Sequence, residues 1–66
     1  MNITLNGQPF ELQNGATLLD VIRLLELEGK RYAIEVNEAI IPRSEHAGYL
    51  VNPGDDVEVV QAIGGG

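Results

Sequence analysis

The 66-residue chain contains no cysteine and no tryptophan, and lysine and arginine together number only four. Without cysteine the chain forms no disulfide framework, no thiolate nucleophile and no cysteine-based metal site. Ten acidic residues against the four basic ones give a formal net charge of −6, which argues against binding to nucleic acid or to an anionic membrane. The acidic balance favours either docking onto a basic protein partner or simply the solubility of a small domain.

Long apolar runs are also missing from the sequence. No stretch approaches the ~20 apolar residues of a membrane span, and the N-terminus lacks the basic-then-apolar pattern of a secretory signal, so we expect a cytoplasmic location. Hydrophobic residues make up 44% of the chain, which is enough for a globular core. We therefore expect one small domain over residues 1–66 that folds by packing alone.

Alternation and turn residues predict strands near both ends of the chain. Residues 1–5 alternate apolar and polar side chains, and Asn6-Gly7 predicts a hairpin turn into a second strand over 8–12. Pro9 cannot donate to a neighbouring strand, so the second strand is expected at a sheet edge. Further strands are predicted over 32–36, 39–41 and 57–62, with the first and last strands central and parallel.

One helix is predicted over residues 18–28, with Thr17 as its N-cap, Asp20 completing a capping box and Gly29 at the C′ position. Residues 43–50 are expected to be irregular with one 3₁₀ turn. The order β-β-α-β-β-β predicts an α+β fold, in which one helix crosses a mixed sheet of four to five strands.

No internal motif predicts catalysis or metal binding. His46 is the only histidine, and we interpret it as a solvated loop residue, because a zinc site needs three or four ligands. Ser44 has only His46 nearby, which is weak support for a nucleophilic dyad. Asp55-Asp56 follows Pro53-Gly54 and is ordinary turn chemistry. We expect no metal site and no catalytic residue in the chain.

The last residues differ in character from the rest. Gly64, Gly65 and Gly66 follow an apolar strand, and we expect residues 63–66 to form a flexible tail. Glycine has no Cβ, so such a tail fits a channel too narrow for other residues. The carboxylate of Gly66 is unreactive as an acyl donor until another protein adenylates it. The alternative interpretation is a frayed terminus without function.

The whole chain resembles the ubiquitin-like β-grasp proteins, and within them the ThiS family of sulfur carriers in thiamine biosynthesis. The residues that carry the resemblance are Met1–Gly7, Val36-Asn37, Ile41-Pro42-Arg43, Leu50 through Asp55, and Gly65-Gly66. The terminal Gly-Gly is shared with other carriers and modifiers, so the Asn37, Ile41–Arg43 and Gly54-Asp55 set is what favours ThiS. The third glycine, Gly64, is a small departure from the usual ending.

This resemblance implies a protein cosubstrate and not an enzyme. A ThiF-like adenylyltransferase would adenylate the carboxylate of Gly66 with ATP and Mg²⁺, and a cysteine desulfurase or another persulfide donor would lead to its thiocarboxylate. A ThiG-like thiazole synthase would then receive the sulfur. Gly64 and Gly65 would be recognised in the partner's channel, and no cofactor is expected to bind the chain itself.

Three alternatives remain open at this point: the small, MoaD-like subunit of molybdopterin synthase, a ubiquitin-like protein modifier, and an interaction module with an inert tail. Whichever of these functions applies, strand alternation predicts that Glu58, Val60 and Ala62 lie on the sheet face away from the helix. We expect a partner to dock there, with the alternative that Val60 merely satisfies strand propensity.

Overall fold

The computed structural model describes residues 1–62; the predicted tail, Ile63–Gly66, lies outside the described residues. The elements follow the predicted order β-β-α-β-β-β. They are β1 (Asn2–Leu5), β2 (Gln8–Glu11), α1 (Leu18–Leu24), β3 (Tyr32–Val36), β4 (Ala39–Ile41), a 3₁₀ helix (Arg43–Gly48) and β5 (Asp56–Gln61). Strands β2 and β5 each end one residue before the predicted boundary, and β5 begins one residue earlier than predicted.

The five strands form one mixed sheet in the order β2-β1-β5-β3-β4. Strand β1 pairs with β5 in parallel, while the other neighbouring strands are antiparallel. The prediction that the first and last strands are parallel neighbours inside the sheet is therefore confirmed. Pro9 lies in β2 at the sheet edge, as its missing N–H requires.

The core lies between one face of the sheet and α1. Alternate residues of the three inner strands point toward the helix, so β1, β5 and β3 each have one buried face. The buried strand residues are Ile3, Leu5, Ile34, Val36, Val57 and Val59, and they pack in one cluster with Leu18, Val21 and Ile22 of α1. The opposite face of the sheet carries no helix among the described residues.

The predicted capping box is present at the start of α1. The backbone N–H of Asp20 donates to Thr17 Oγ1 at 3.3 Å, and the backbone N–H of Thr17 donates to Asp20 Oδ2 at 2.9 Å. The hydrogen bond from the Thr17 backbone lowers the pKa of Asp20, since it stabilises the ionised carboxylate. Two backbone donors of the first turn are thereby satisfied.

The end of α1 corrects the predicted span of 18–28, because the helix stops at Leu24. Glu26 takes a φ of +58°, and its N–H donates to Arg23 O at 3.0 Å, while the N–H of Leu27 donates to Ile22 O at 3.0 Å. These two bonds form a Schellman motif with Glu26 at C′, the position predicted for Gly29. Leu27 is thereby turned back onto the core.

His46 also departs from prediction, because it is buried and not solvated, with 3% of its surface exposed. The 3₁₀ helix that contains it folds its ring against β3, where the ring centroid lies 5.7 Å from that of Tyr32. His46 Nε2 lies 2.8 Å from Ile41 O, and Nδ1 has no hydrogen-bond partner among residues 1–62. The guanidinium of Arg43 lies 4.3 Å from the Tyr32 ring centroid and donates to Lys30 O.

The predicted turn before β5 is held by a buried carboxylate. Asp55 Oδ2 accepts from the backbone N–H of Asn52 at 2.8 Å, and Asp55 Oδ1 accepts from Asn37 Nδ2 at 3.1 Å. Asn37 Oδ1 in turn accepts from the backbone N–H of Asp56 at 2.9 Å. These bonds tie the β3–β4 turn to the start of β5, so the carboxylate of Asp55 is structural, while Asp56 contributes its backbone N–H.

Within residues 1–62, α1 is too short to cross a bilayer, and no other helix is long and apolar enough.

The positive φ of Glu26 at the C′ position leads to a prediction about stability. A non-glycine residue in the left-handed region destabilises the folded state by about 1–2 kcal/mol. Replacing it by glycine removes this cost but lowers the free energy of unfolding by about 0.4–1 kcal/mol, because glycine makes the unfolded chain more flexible. We expect Glu26→Gly to raise the free energy of unfolding by up to about 1 kcal/mol, or a thermal midpoint several degrees higher, measured by calorimetry. Glu45→Gly, at a residue without positive φ, should lower both quantities. A Glu26→Gly variant no more stable than the Glu45→Gly control would contradict the assignment.

Candidate functional site

The face of the sheet opposite α1 is the candidate site, and β5 shows it most clearly. Val57 is fully buried and Val59 is 9% exposed, whereas Val60, the residue after Val59, is 63% exposed. Glu58 and Ala62 are also exposed. The alternation predicted for β5 is confirmed, and it sets these three side chains on the face away from the helix.

The register between β3 and β5 adds neighbours that the sequence did not reveal. Ala33 lies directly opposite Val60, and Glu35 lies directly opposite Glu58. The N–H of Ala62 donates to Arg31 O at 3.1 Å, so the same register continues to Arg31. Strand β4 contributes Ile40, which is paired with Glu35 and 72% exposed. The open face is defined here as Arg31, Ala33, Glu35, Ile40, Glu58, Val60 and Ala62.

Polar contacts with β1 keep β5 in this orientation. Only two residue pairs join β1 to β5, Thr4 with Asp56 and Leu5 with Val57. Beyond the end of β1, the N–H of Asn6 donates to Val57 O at 2.9 Å, and Asn6 Oδ1 accepts from the N–H of Val59 at 2.7 Å. The amide side chain therefore continues the pairing of β5 for one more step toward Ala62.

The described part of the chain offers no catalytic or metal-binding constellation. No group of three or more His, Asp or Glu side chains within residues 1–62 could hold a metal ion. Ser44 forms no hydrogen bond with His46, whose Nε2 instead meets Ile41 O. A groove of about 530 Å³ lies on the other side of the molecule, between β2 and α1. What the open face provides is a set of apolar side chains and charges of both signs.

The other predicted site residues are Gly64, Gly65 and Gly66. They lie outside the described residues, so their roles stay predictions. The described chain reaches Ala62, which is itself part of the open face. The open face and the predicted tail are thus adjacent in sequence, and that adjacency is the basis for treating them as one site.

Known proteins resemble this chain along its full length. The family described as the ThiS family matches residues 3–66. The sulfur carrier protein ThiS of Escherichia coli is 30% identical over 66 residues, which is all of both chains. A thiazole synthase of Magnetococcus marinus is 35% identical over the same length, but the chain spans only 20% of that protein. An uncharacterized protein of Porphyra purpurea is 34% identical and is covered to 93%.

A solved structure supports the fold directly. The crystal structure of the thiamine biosynthesis protein ThiS from Geobacter metallireducens superposes with a TM-score of 0.83 at 26% identity, with 100% of both chains covered. The predicted β-grasp fold, with its five-stranded mixed sheet and one helix, is confirmed. Because the family match extends over almost the whole chain and a full-length relative is 30% identical, the protein belongs to the ThiS family.

Proposed function

We propose that this chain is a sulfur carrier of thiamine biosynthesis, and that it carries sulfur as a thiocarboxylate on the terminal carboxyl of Gly66. The observation that carries the proposal is the ThiS family match over residues 3–66, which includes all three tail glycines. The full-length similarity to a sulfur carrier protein supports the same function. On this proposal the chain is a cosubstrate located in the cytoplasm and not an enzyme.

The chemistry at Gly66 would be supplied by partners. A ThiF-like adenylyltransferase with ATP and Mg²⁺ would let the carboxylate attack the α-phosphorus and release pyrophosphate. Sulfur from a persulfide, provided by a cysteine desulfurase or another donor, would displace AMP, and a thiol would cleave the resulting S–S bond to leave the thiocarboxylate. The cysteine-free sequence suits this scheme, because sulfur would then be carried on the carboxyl.

The acceptor of the sulfur is proposed to be a ThiG-like thiazole synthase. Two proteins named thiazole synthase contain a region similar to the whole of this chain, and in each it amounts to 20% of the protein. A carrier region within a thiazole synthase supports the idea that the two act together. No cofactor is proposed to bind the carrier itself.

Docking of the adenylating partner is proposed to use Glu58, Val60 and Ala62. Strand β5 leads directly into the tail, so a surface on β5 fixes the direction in which the tail enters a partner's channel. Val60 is the large apolar side chain of this strand that stays exposed, at 63%. An apolar anchor with a charged rim is the usual arrangement of a small protein interface.

Chemistry at the terminal carboxyl gives the first test of the function. A variant with one residue added after Gly66 should show no thiocarboxylate, detected by intact mass as the replacement of one oxygen by sulfur. Replacing Gly65 by tryptophan should have the same effect, because the side chain would be excluded from the channel. A variant that lacks residues 64–66 should keep its thermal midpoint, since glycine has no side chain to bury. Thiocarboxylate formation on the extended chain would disprove the proposal.

Three further observations separate the alternative functions. Copurification with a large molybdopterin synthase subunit in place of thiazole synthase would indicate the molybdopterin pathway. Adducts linked to lysine would indicate a protein modifier. A parent chain without any mass change in the presence of donor and adenylating enzyme would indicate an interaction module.

Val60→Asp tests the docking surface. We expect the substitution to weaken binding to the adenylating enzyme by on the order of 2 kcal/mol, or roughly 30-fold in Kd, because it buries a charge at the centre of the contact. The thermal midpoint should change little, since Val60 is exposed in the free protein. Leu50→Asp is the matched control, because Leu50 is 60% exposed but lies outside the open face. Equal binding by both variants would place the contact elsewhere.

A further inference from the structure

Two glutamates occupy paired positions at the middle of the open face. Glu35 and Glu58 are directly opposite on the neighbouring strands β3 and β5, and like charges in that position destabilise a sheet. Neither carboxylate forms a hydrogen bond or an ion pair with any group in residues 1–62. The ion pair found in that part of the chain joins Arg23 to Glu28 on the other side of the molecule. The fold therefore keeps an uncompensated acidic pair on its exposed face.

A positive charge lies on the same face, at the end nearest the tail. Arg31 is exposed and lies opposite Ala62, the last described residue. Arg31 lies four positions before Glu35, or about 13 Å away along the direction of β3 at the usual rise, so the two do not neutralise each other by direct contact. Ala33 and Val60 fill the row between them. The open face thus changes from positive near the tail, through apolar, to negative.

We propose that this charge order fixes the orientation in which the domain docks on its adenylating partner. A basic side chain of the partner would lie against Glu35 and Glu58, and an acidic group beside the channel mouth would face Arg31. A domain turned end for end on the same surface would oppose like charges and direct its tail away from the channel. Repulsion in the wrong orientation is an effective source of specificity. This inference rests on the proposed function.

The occupant is a different protein and not a second copy of the chain. Two copies placed face to face in opposite directions would also bring Arg31 near the carboxylate pair. However, each copy carries a formal charge of −6, and this net repulsion opposes association. A second copy on the open face would also cover Val60 and block the partner.

Arg31→Glu distinguishes orientation from general attraction. If the acidic chain were simply drawn to a basic partner, a more acidic chain would bind more tightly. The proposed orientation requires the opposite, a rise in Kd of about tenfold, because the new carboxylate would face the acidic channel mouth. Arg23→Glu makes the same change of net charge on α1, on the other side of the sheet. It should leave Kd unchanged or slightly lower.

Glu35→Gln/Glu58→Gln tests the acidic end of the face. Removing the repulsion should raise the thermal midpoint, while Kd for the partner rises about tenfold and its salt dependence becomes weaker. Glu26→Gln/Glu45→Gln is the matched control, with the same change of net charge at exposed positions outside the open face. If Glu35 and Glu58 serve recognition, the double variant should be more stable than the parent and yet bind the adenylating partner more weakly.

Binding is measured by titration calorimetry against a purified ThiF-like adenylyltransferase without ATP, and pyrophosphate release is measured separately with ATP and Mg²⁺. Weaker binding by both test variants supports the proposed orientation, even if the parent releases no pyrophosphate and the sulfur-carrier chemistry fails. Equal changes in test and control variants would overturn it. So would a parent that does not bind, or a concentration-dependent dimer in sedimentation that the Arg31→Glu substitution abolishes.

Discussion

The register of β5 between β1 and β3 is the constraint on which the rest of the structure depends. A slip of one residue would exchange the two faces of the strand, sending Val57 and Val59 to solvent and Glu58 into the core. Two polar contacts oppose such a slip. Asn6 Oδ1 accepts from the N–H of Val59 on one side, and Asn37 Oδ1 accepts from the N–H of Asp56 at the start of the strand. The same hydrogen bonds therefore help to set both the packing of the core and the exposure of Glu58 and Val60.

Buried polar groups in this small domain are used to fix connections between elements. Asp55 is 8% exposed, and its two carboxylate oxygens join the turn before β5 to Asn37. His46 is more deeply buried, and its ring joins the 3₁₀ helix to β3 through Tyr32 and to the end of β4 through Ile41 O. Both residues are polar anchors at places where the chain leaves one element and reaches another. A domain with one apolar core needs such anchors, because few apolar residues remain to hold its loops.

Local signals in the sequence explain which parts of the fold were predictable. The strand alternation, the Asn6-Gly7 turn and the Thr17 capping box depend on neighbouring residues, and each occurs as predicted. The helix end was wrong because Glu26 takes a conformation that glycine usually takes, and only the packing of Leu27 explains it. The prediction of a solvated His46 was wrong for a related reason. Burial of a lone loop histidine depends on where the 3₁₀ helix folds, which the sequence pattern does not contain.

The candidate site was predictable on one strand and not across strands. Alternation within β5 is enough to expose Glu58 and Val60, but it does not say which residue of β3 lies beside each of them. That pairing joins positions more than twenty residues apart, and it places Glu35 against Glu58 at a cost in stability. A sheet with a helix on only one face can bear such a pair, because Glu58 is exposed and Glu35 is only half-buried in the free protein. One side of β5 thus contributes to the core, and the other side is the one that we propose for docking. Because both sides belong to one paired strand, the register that buries Val57 and Val59 also holds Glu58 and Val60 at the surface.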